Sequence, residues 1–466
     1  MMSLQQVASA VSGKMFGLDV DSLNVSINTR SDCEGRLFVA LKGDNFDAHD
    51  YVQNAAEAGA VALMVERKVD TDLPYVLVDD THRALKKLAS WWRSQFDIPV
   101  VGVTGSVGKT TVKEMLGSIF SKVGKGVVTH GNLNNEIGVP LTLMRLTNVD
   151  EYAIVEMGMN NAGEIGRLSQ ITRPTVAMVN NAAAAHLEGL GTVEAVANAK
   201  GEIFSGLKSD GIAVINADDK YAHLWRDLAG GRETLEFGLS EQADITATYI
   251  QQGDHIEVSA SVLGTAVNYS LKALGEHSVR NSLAAVACAH AAGVGAAAII
   301  AGLESYRPVV GRLNPIKVAN SVLFDDTYNA NPASMKAAIN VLANYPESVL
   351  VVGDMGELGD VVEQAHIDIG QYARSKGISN LMACGHYAGH VVEGYGDQGF
   401  AFSTQNDLID HISNNPIDVN AILVKGSRSA KMEKVVAVIR DMLRERQEET
   451  NTNKSKGNVE SGGGLS

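Results

Sequence analysis

The stretch VVGVTGSVGKTT, residues 100–111, decides how the rest of the chain is read. Its apolar opening reads as a buried strand that ends at Thr104, and a helix begins after Gly108. Between them Gly105, Ser106, Val107 and Gly108 form a turn whose backbone N–H groups can face a phosphate, with the helix N-terminus adding positive potential. Lys109 can reach terminal phosphates, and a hydroxyl of Thr110 or Thr111 can ligate Mg²⁺. The match is to the short GxxGK[ST] form, because Val103 stands where the longer consensus begins with glycine.

Working outward, apolar runs alternate with amphipathic segments on both sides of this turn. Downstream come KGVVTH, YAIVEMG, TVAMVNN and GIAVINADD, separated by helical stretches, which predicts a parallel sheet buried on both faces. Residues 244–271 alternate apolar and polar around QQGDH and predict an antiparallel excursion from that sheet. Upstream, short β-rich pieces such as SLNVSINTR and RLFVALKG and a helical piece at 51–58 form a small α/β unit. After GRLNP, the strands SVLFDD, SVLVVGD, NLMACG, FAFS and AILVKG build another α/β unit. The expected organisation is three domains. A central P-loop parallel-sheet domain (84–315) is flanked by a small N-terminal α/β domain (1–83) and a C-terminal Rossmann-like α/β domain (316–446). The polar stretch 447–466 is expected to be a disordered tail.

With 39 basic and 54 acidic side chains, the formal net charge of -15 opposes nonspecific binding of nucleic acid or docking on an anionic membrane. An anionic ligand must then be held by local groups such as those of the phosphate loop. Cys33, Cys288 and Cys384 stand singly, so neither a disulfide framework nor a thiolate metal site is suggested, and a reducing cytoplasm fits. The N-terminus has no basic segment followed by an apolar run, as a secretory signal would. Residues 284–303 are long enough to imitate a membrane span but are mostly alanine and glycine and contain His290, so two packed core helices are expected, without membrane insertion.

Three polar clusters follow predicted strands: THGNLNNEIGVP (129–140), VEMGMNNAGEI (155–165) and NNAAAAHLEGLG (180–191). In an open parallel sheet the ligand crevice lies beyond the carboxyl ends of the strands, so these loops should converge. Taken alone, His186 fits a hydrogen-bonded structural histidine and Glu156 a solvated strand end. Convergence makes them, with Thr110, candidates for a Mg²⁺ site. Next comes TVEAVANAKGEIFSGL, a helix expected to be capped by Thr192 and to carry Lys200.

The order GxxGKT, TxxNxNNExGVP, VEMG, HLEGxG, AKGEIF, HxxxN, GR, DDTYNANP and GDMxELG resembles the Mur ligases, ATP-dependent amide-forming enzymes of peptidoglycan synthesis, over residues 28–442. Within that family, NTRSDCEGRLFVALKGDNFDAHDY, HLEGLG with AKGEIF, DDTYNANPASMKAA and GDMGELG are most similar to the branch that joins D-alanyl-D-alanine to a UDP-N-acetylmuramoyl tripeptide. The resemblance implies ATP as nucleotide and Mg²⁺ at two sites. It also implies that Lys200 is carried as a carbamate able to ligate the second metal ion. Lys109, Lys200, His186 and Glu156 would be the catalytic set. Asn281, Arg312, Asp326, Asn329 and Asn331 would face the nucleotide, the last three from the third domain. Thr29, Arg30, Lys42, Gly43, Phe46, Asp47 and His49 would recognise the UDP-sugar. Asn134 and Asn135 would border the substrate, and Lys425, Ser427 and Arg428 the carboxylate of the dipeptide.

Such an enzyme would act as a cytoplasmic monomer through an acyl phosphate. Other Mur-type ligases, including the one that adds the third residue, and folylpolyglutamate synthase are the neighbouring enzyme readings. A non-catalytic P-loop switch is the reading of a different class; the density of Asn, Glu, His and Lys beyond successive strands argues for an enzyme.

Overall fold

The computed structural model describes residues 1–460 apart from 23, 31, 32, 241, 319, 416 and 418, with side chains up to 448. The strand Val100–Thr104 is fully buried and lies inside a nine-stranded sheet. It pairs in parallel with Tyr152–Glu156 on one side and Val176–Val179 on the other. Gly126–Val128 lies beyond the first, and Ile212–Asn216 and Glu233–Phe237 beyond the second, all parallel. The chain thus leaves the central strand to one side and later crosses to the other. Its carboxyl end is a point of reversed order, where such sheets open a crevice. The expected excursion is present as the antiparallel strands Ile245–Gln252, His255–Val262 and Thr265–Leu271.

The helix Lys109–Phe120 that follows the phosphate loop buries Val112, Met115, Leu116, Ile119 and Phe120, one stripe at helical spacing. The alanine-rich stretch forms the expected pair of helices, Glu276–Ala291 and Ala296–Ser305. Gly302 explains the composition: a Cβ there would collide with the backbone of Ile119, so the glycine lets the second helix press on the phosphate-loop helix. Among the described residues no helix is long and apolar enough to cross a membrane.

The first domain has a five-stranded sheet in the order Lys14–Phe16, Tyr75–Leu77, Ala62–Val65, Leu37–Val39, Val25–Ser26. The third has six strands in the order Asn314–Val318, Ser321–Asp326, Ala421–Lys425, Ser348–Gly353, Asn380–Cys384, Gly399–Phe402, parallel except for the first. The expected limits need small corrections. The 83/84 boundary falls inside the helix Thr81–Arg93, capped by the Asp80 carboxylate, and 315/316 falls inside the strand Asn314–Val318. The side chain of Arg93 is buried and donates to the carbonyls of Thr172, Phe96 and Arg173, tying that helix to the central domain. The tail expected to be disordered from 447 is helical to the end of Glu433–Glu460. Arg, Glu, Gln and Lys are good helix formers, and no glycine interrupts 434–456. Residues 461–466 of that stretch lie outside the described residues.

Candidate active site

At the end of the central strand, Gly108 has φ +82, and a Cβ there would strike the amides of Asn281 and Asn180. Both constraints demand glycine, and they place the start of the Lys109–Phe120 helix against two asparagines. No side chain caps that helix, so its first N–H groups face the crevice without an intrahelical partner. The loop is braced by a pair of asparagines at the end of Val176–Val179. Asn181 accepts from the Val107 N–H at 2.9 Å, and Asn180 Nδ2 donates to the Val107 carbonyl at 3.0 Å and to Asn281 Oδ1 at 2.9 Å. Ser106 Oγ receives the Ala183 N–H at 2.9 Å. Lys109 Nζ donates to the Gly105 carbonyl at 2.6 Å, and burial lowers its pKa from the ordinary lysine value.

Two cavities open on either side of the loop. The larger, about 550 Å³, is lined by Ser106 to Thr110, Asn134, Asn135, Glu156 and His186 from the central domain. Arg312, Asn329, Asn331, Glu357, Ser427 and Arg428 line it from the other side. The smaller, about 340 Å³, is lined by Gly108, Thr111, Asn180, Asn281, His277, Arg312, Asp326 and Lys425 together with apolar Leu274, Pro308 and Ala337. An apolar slot with convergent polar groups suits a planar base and its ribose, while the polar cavity suits phosphates and reacting groups.

Glu156 is 2% exposed; its Oε1 accepts from Asn134 Nδ2 at 2.8 Å and its Oε2 has no partner. A buried carboxylate oxygen with nothing to bind is costly unless a ligand satisfies it. Together with the Thr110 hydroxyl this donor set fits a hard divalent cation. No cluster of three or more His, Cys, Asp or Glu groups exists among the described residues. Beyond Glu156, Thr110 and His186 on the same cavity, the remaining ligands would be phosphate oxygens and water, as Mg²⁺ prefers. The residues present fit that ion.

His186 has φ 58 and immediately precedes the short helix Leu187–Leu190 without capping it through its side chain; its Nδ1 lies 2.7 Å from Glu357 Oε2 of the third domain. Lys200 sits on the helix Val193–Gly201, which Thr192 caps as expected by accepting the Ala195 N–H at 3.1 Å. Trp225 Nε1 bonds the Ala197 carbonyl at 3.0 Å and holds that helix inward. Lys200 is 1% exposed, and burial, with Lys109 nearby, pushes its pKa well below the ordinary value. It does not line the larger cavity.

The third domain supplies Asp326 at a strand end. Its Oδ1 accepts the Leu313 N–H at 3.0 Å and its Oδ2 pairs with Lys425 Nζ at 2.7 Å. Lys425 therefore needs reassignment. It is 2% exposed, committed to Asp326 and to the Asn329 carbonyl at 2.9 Å, and lines the smaller cavity rather than the larger one that Ser427 and Arg428 reach. Arg312 stacks on Tyr328 at 4.0 Å, with Nη2 3.3 Å from the Thr110 hydroxyl. Asn331 caps the helix Pro332–Leu342 through a capping box with Ser334, so its side chain is engaged structurally. Asn135 similarly receives the Gly138 N–H at 2.9 Å. Ser427 and Arg428 reach the larger cavity as expected.

In the first domain Thr29, Arg30 and Phe46 line a cavity of about 790 Å³ with Tyr51 and Asn54, and the Phe46 and Tyr51 rings stack at 5.3 Å. Lys42, Gly43, Asp47 and His49 do not line it. Lys42 and Gly43 form an exposed strand of a hairpin, and the Lys42 carbonyl is taken by His82 at 2.9 Å. Asp47 caps the turn at His49 and is held below the usual carboxylate range by the Arg67 guanidinium, while buried His49 accepts the Glu66 N–H at 2.8 Å. All four stand apart from that cavity, and Asp47 and His49 are engaged by Arg67 and Glu66. Conversely, His277 was singled out by the sequence only as part of HxxxN, while Asn180 and Asn181 stood only within the 180–191 cluster and Glu357 only within GDMGELG. The paired asparagines after an apolar run were a usable signal, but Glu357 meets the site only through domain packing.

Models of the Mur ligase middle domain and of the Mur ligase, glutamate ligase domain match residues 103–289 and 311–428. The chain belongs to the Mur ligase family. It is 44% identical over 445 residues, 94% of this chain and 98% of the relative, to UDP-N-acetylmuramoyl-tripeptide–D-alanyl-D-alanine ligase of Escherichia coli (strain K12). To the ligase of the same name from Bacillus subtilis (strain 168) it is 32% identical over 93% of this chain and 97% of that one. Among solved structures, MurF from Acinetobacter baumannii superposes with a TM-score of 0.88 at 35% identity, covering 94% of this chain and 98% of the other. MurF ligase from Thermotoga maritima in complex with ADP gives 0.82 at 29% identity, covering 91% and 98%. The fold is the three-domain α/β arrangement of that family. Folylpolyglutamate synthase of Mycobacterium tuberculosis, 17% identical with a TM-score of 0.61, shares the fold alone.

Proposed function

We propose that this chain joins D-alanyl-D-alanine to a UDP-N-acetylmuramoyl tripeptide with hydrolysis of ATP to ADP and phosphate, the final peptide addition to the peptidoglycan precursor in the cytoplasm. The observation that carries the mechanism is the polar cavity where the phosphate loop, the orphaned Glu156 oxygen and third-domain Ser427 and Arg428 meet. The relatives named above at 44% and 32% identity support the choice of substrates.

A carboxylate resists attack by an amine because its leaving group would be oxide. Transfer of the γ-phosphoryl group from ATP to the tripeptide carboxylate gives an acyl phosphate and ADP. The dipeptide amine then adds to the acyl carbon, loses a proton, and expels inorganic phosphate as the amide forms. Lys109 and the helix N–H groups offset charge on the phosphoryl group in flight, the term that dominates catalysis of such transfers. The slot containing Asn281, Asp326 and Arg312 would hold the base and ribose, so the nucleotide bridges central and third domains. The dipeptide would enter from the side of Ser427 and Arg428, and Thr29, Arg30 and Phe46 would hold the UDP end in the first domain.

Glu156, Thr110 and His186 would hold Mg²⁺, whose bound charge supplies further neutralisation of the phosphates. Burial favours the neutral amine of Lys200, the form that reacts with CO₂, and a carbamate there would replace like charge beside Lys109 with attraction. That carbamate would serve a second Mg²⁺. The domain roles follow: sugar recognition before the helix Thr81–Arg93, nucleotide chemistry in the centre, and dipeptide delivery after Arg312.

The test is product formation with radiolabelled D-alanyl-D-alanine, ATP and UDP-N-acetylmuramoyl tripeptide. Label should enter the nucleotide-linked product only with all three present. ATP turnover stimulated equally by unrelated amino acids, or no amide product, would refute the reading.

A further inference from the structure

Two non-glycine residues at the larger cavity, one from each domain, hold left-handed backbone: His186 with φ 58 and Glu357 with φ 62. They meet each other. His186 Nδ1 and Glu357 Oε2 are 2.7 Å apart, and the Leu187 N–H donates to the Glu357 carbonyl at 3.1 Å. Gly359, at φ +57, lies close enough for a Cβ to contact the backbone of Glu188 at 3.6 Å. Left-handed non-glycine residues cost free energy and persist where the surroundings impose them. Here that imposition falls on the only short bridge by which the GDMGELG loop reaches the 186–190 segment among the described residues.

The chemistry of the bond orients the imidazole. An ionised carboxylate can only accept, so the Nδ1 that faces Glu357 carries a proton. A ring otherwise held by one backbone segment gains a fixed orientation from a partner that belongs to another domain. We propose that Glu357 is a positioning residue that acts through His186. On this reading, which rests on the ligase function above, the carboxylate orients the imidazole only when the third domain is seated on the central one. Phosphoryl transfer is thereby coupled to domain closure, and ATP is not committed while the dipeptide-bearing domain is away. Among the side chains that line the larger cavity, Glu357 is the one whose ion pair joins the third domain to the central domain.

The experiment compares Glu357→Ala, Glu357→Gly and Glu357→Gln, each alone and combined with His186→Ala. Ligation kinetics, binding of a non-hydrolysable ATP analogue and ¹⁵N spectra of His186 are recorded. Loss of a carboxylate that orients a ligating histidine typically costs about ten- to hundredfold, so kcat should fall by that factor in the Ala variant while analogue affinity holds. The Gly variant relieves the backbone and should lose as much, which assigns the effect to the carboxylate. Gln keeps an acceptor and should recover most of kcat. In the His186→Ala background, Glu357→Ala should add nothing. In the wild type the ¹⁵N spectrum should show the Nδ1-protonated tautomer when the analogue and tripeptide are bound, and the Ala variant should show a mixture. Unchanged kcat in Glu357→Ala, an equal loss in the His186→Ala background, or an unchanged tautomer in the variant overturns the proposal. A wild-type enzyme that makes no amide product overturns the ligase reading itself.

Discussion

Replacing Gly108 by alanine tests whether the phosphate loop is shaped as the asparagine brace implies. Two costs are separable. Left-handed backbone at φ +82 costs a residue with a Cβ about 1–2 kcal/mol. The new Cβ also meets the amides of Asn180 and Asn281, which bond each other at 2.9 Å. Breaking that buried pair leaves a donor and an acceptor unsatisfied, at about 1–3 kcal/mol. The total of about 2–5 kcal/mol must appear as lost stability, or as lost ATP affinity if the loop yields instead, in the latter case roughly 30-fold to several-thousand-fold. Gly253 is the control: its φ is +60 and nothing lies within 4 Å of a Cβ, so Gly253→Ala carries only the backbone cost. Thermal denaturation and calorimetric titration with an ATP analogue measure the two variants together. A Gly108→Ala protein no less stable than Gly253→Ala, with analogue affinity within a factor of two of wild type, would refute the brace.

Lys109→Ala should keep the melting temperature within a few degrees and lower ligation about a hundredfold or more, measured by phosphate release; turnover near wild type would remove Lys109 from the transfer step. Lys200→Ala should be inactive and partly rescued by short carboxylic acids, and CO₂-depleted wild type should regain activity on adding bicarbonate. Because burial lowers the Lys200 pKa, the unfolded chain binds the extra proton. Stability should therefore rise with pH below the ordinary lysine value, and in CO₂-free buffer at neutral pH Lys200→Met should melt above the wild type. Lys425→Met should destabilise by about 3–5 kcal/mol in urea unfolding, because it leaves Asp326 buried and uncompensated, and a neutral effect would show that pair to be hydrated.

Much of the fold was legible along the chain because its signals are local. A strand followed by GSVGK needs only neighbouring residues to make a phosphate turn, and strand–helix alternation marks a parallel sheet without knowledge of its order. The asparagine, glutamate and histidine loops could be expected to converge because every parallel strand delivers its C-terminal loop to the same edge. Local signals run out where a residue's partner sits on another element. Asp47 and His49 look like members of a recognition segment until Arg67 and Glu66 are seen to use them. Lys425 looks like a free cation until the neighbouring strand presents Asp326.

Sequence alone therefore determined the phosphate turn, the alternating elements and the type of chemistry, since these depend on residue identity and short-range backbone geometry. Tertiary structure decided which charges are already neutralised and which polar atom, the Glu156 Oε2, is left wanting a ligand. It also decided that Glu357 stands against His186. Burial and pairing are set by residues on different elements of the chain, and no local pattern records the free energy of bringing them together.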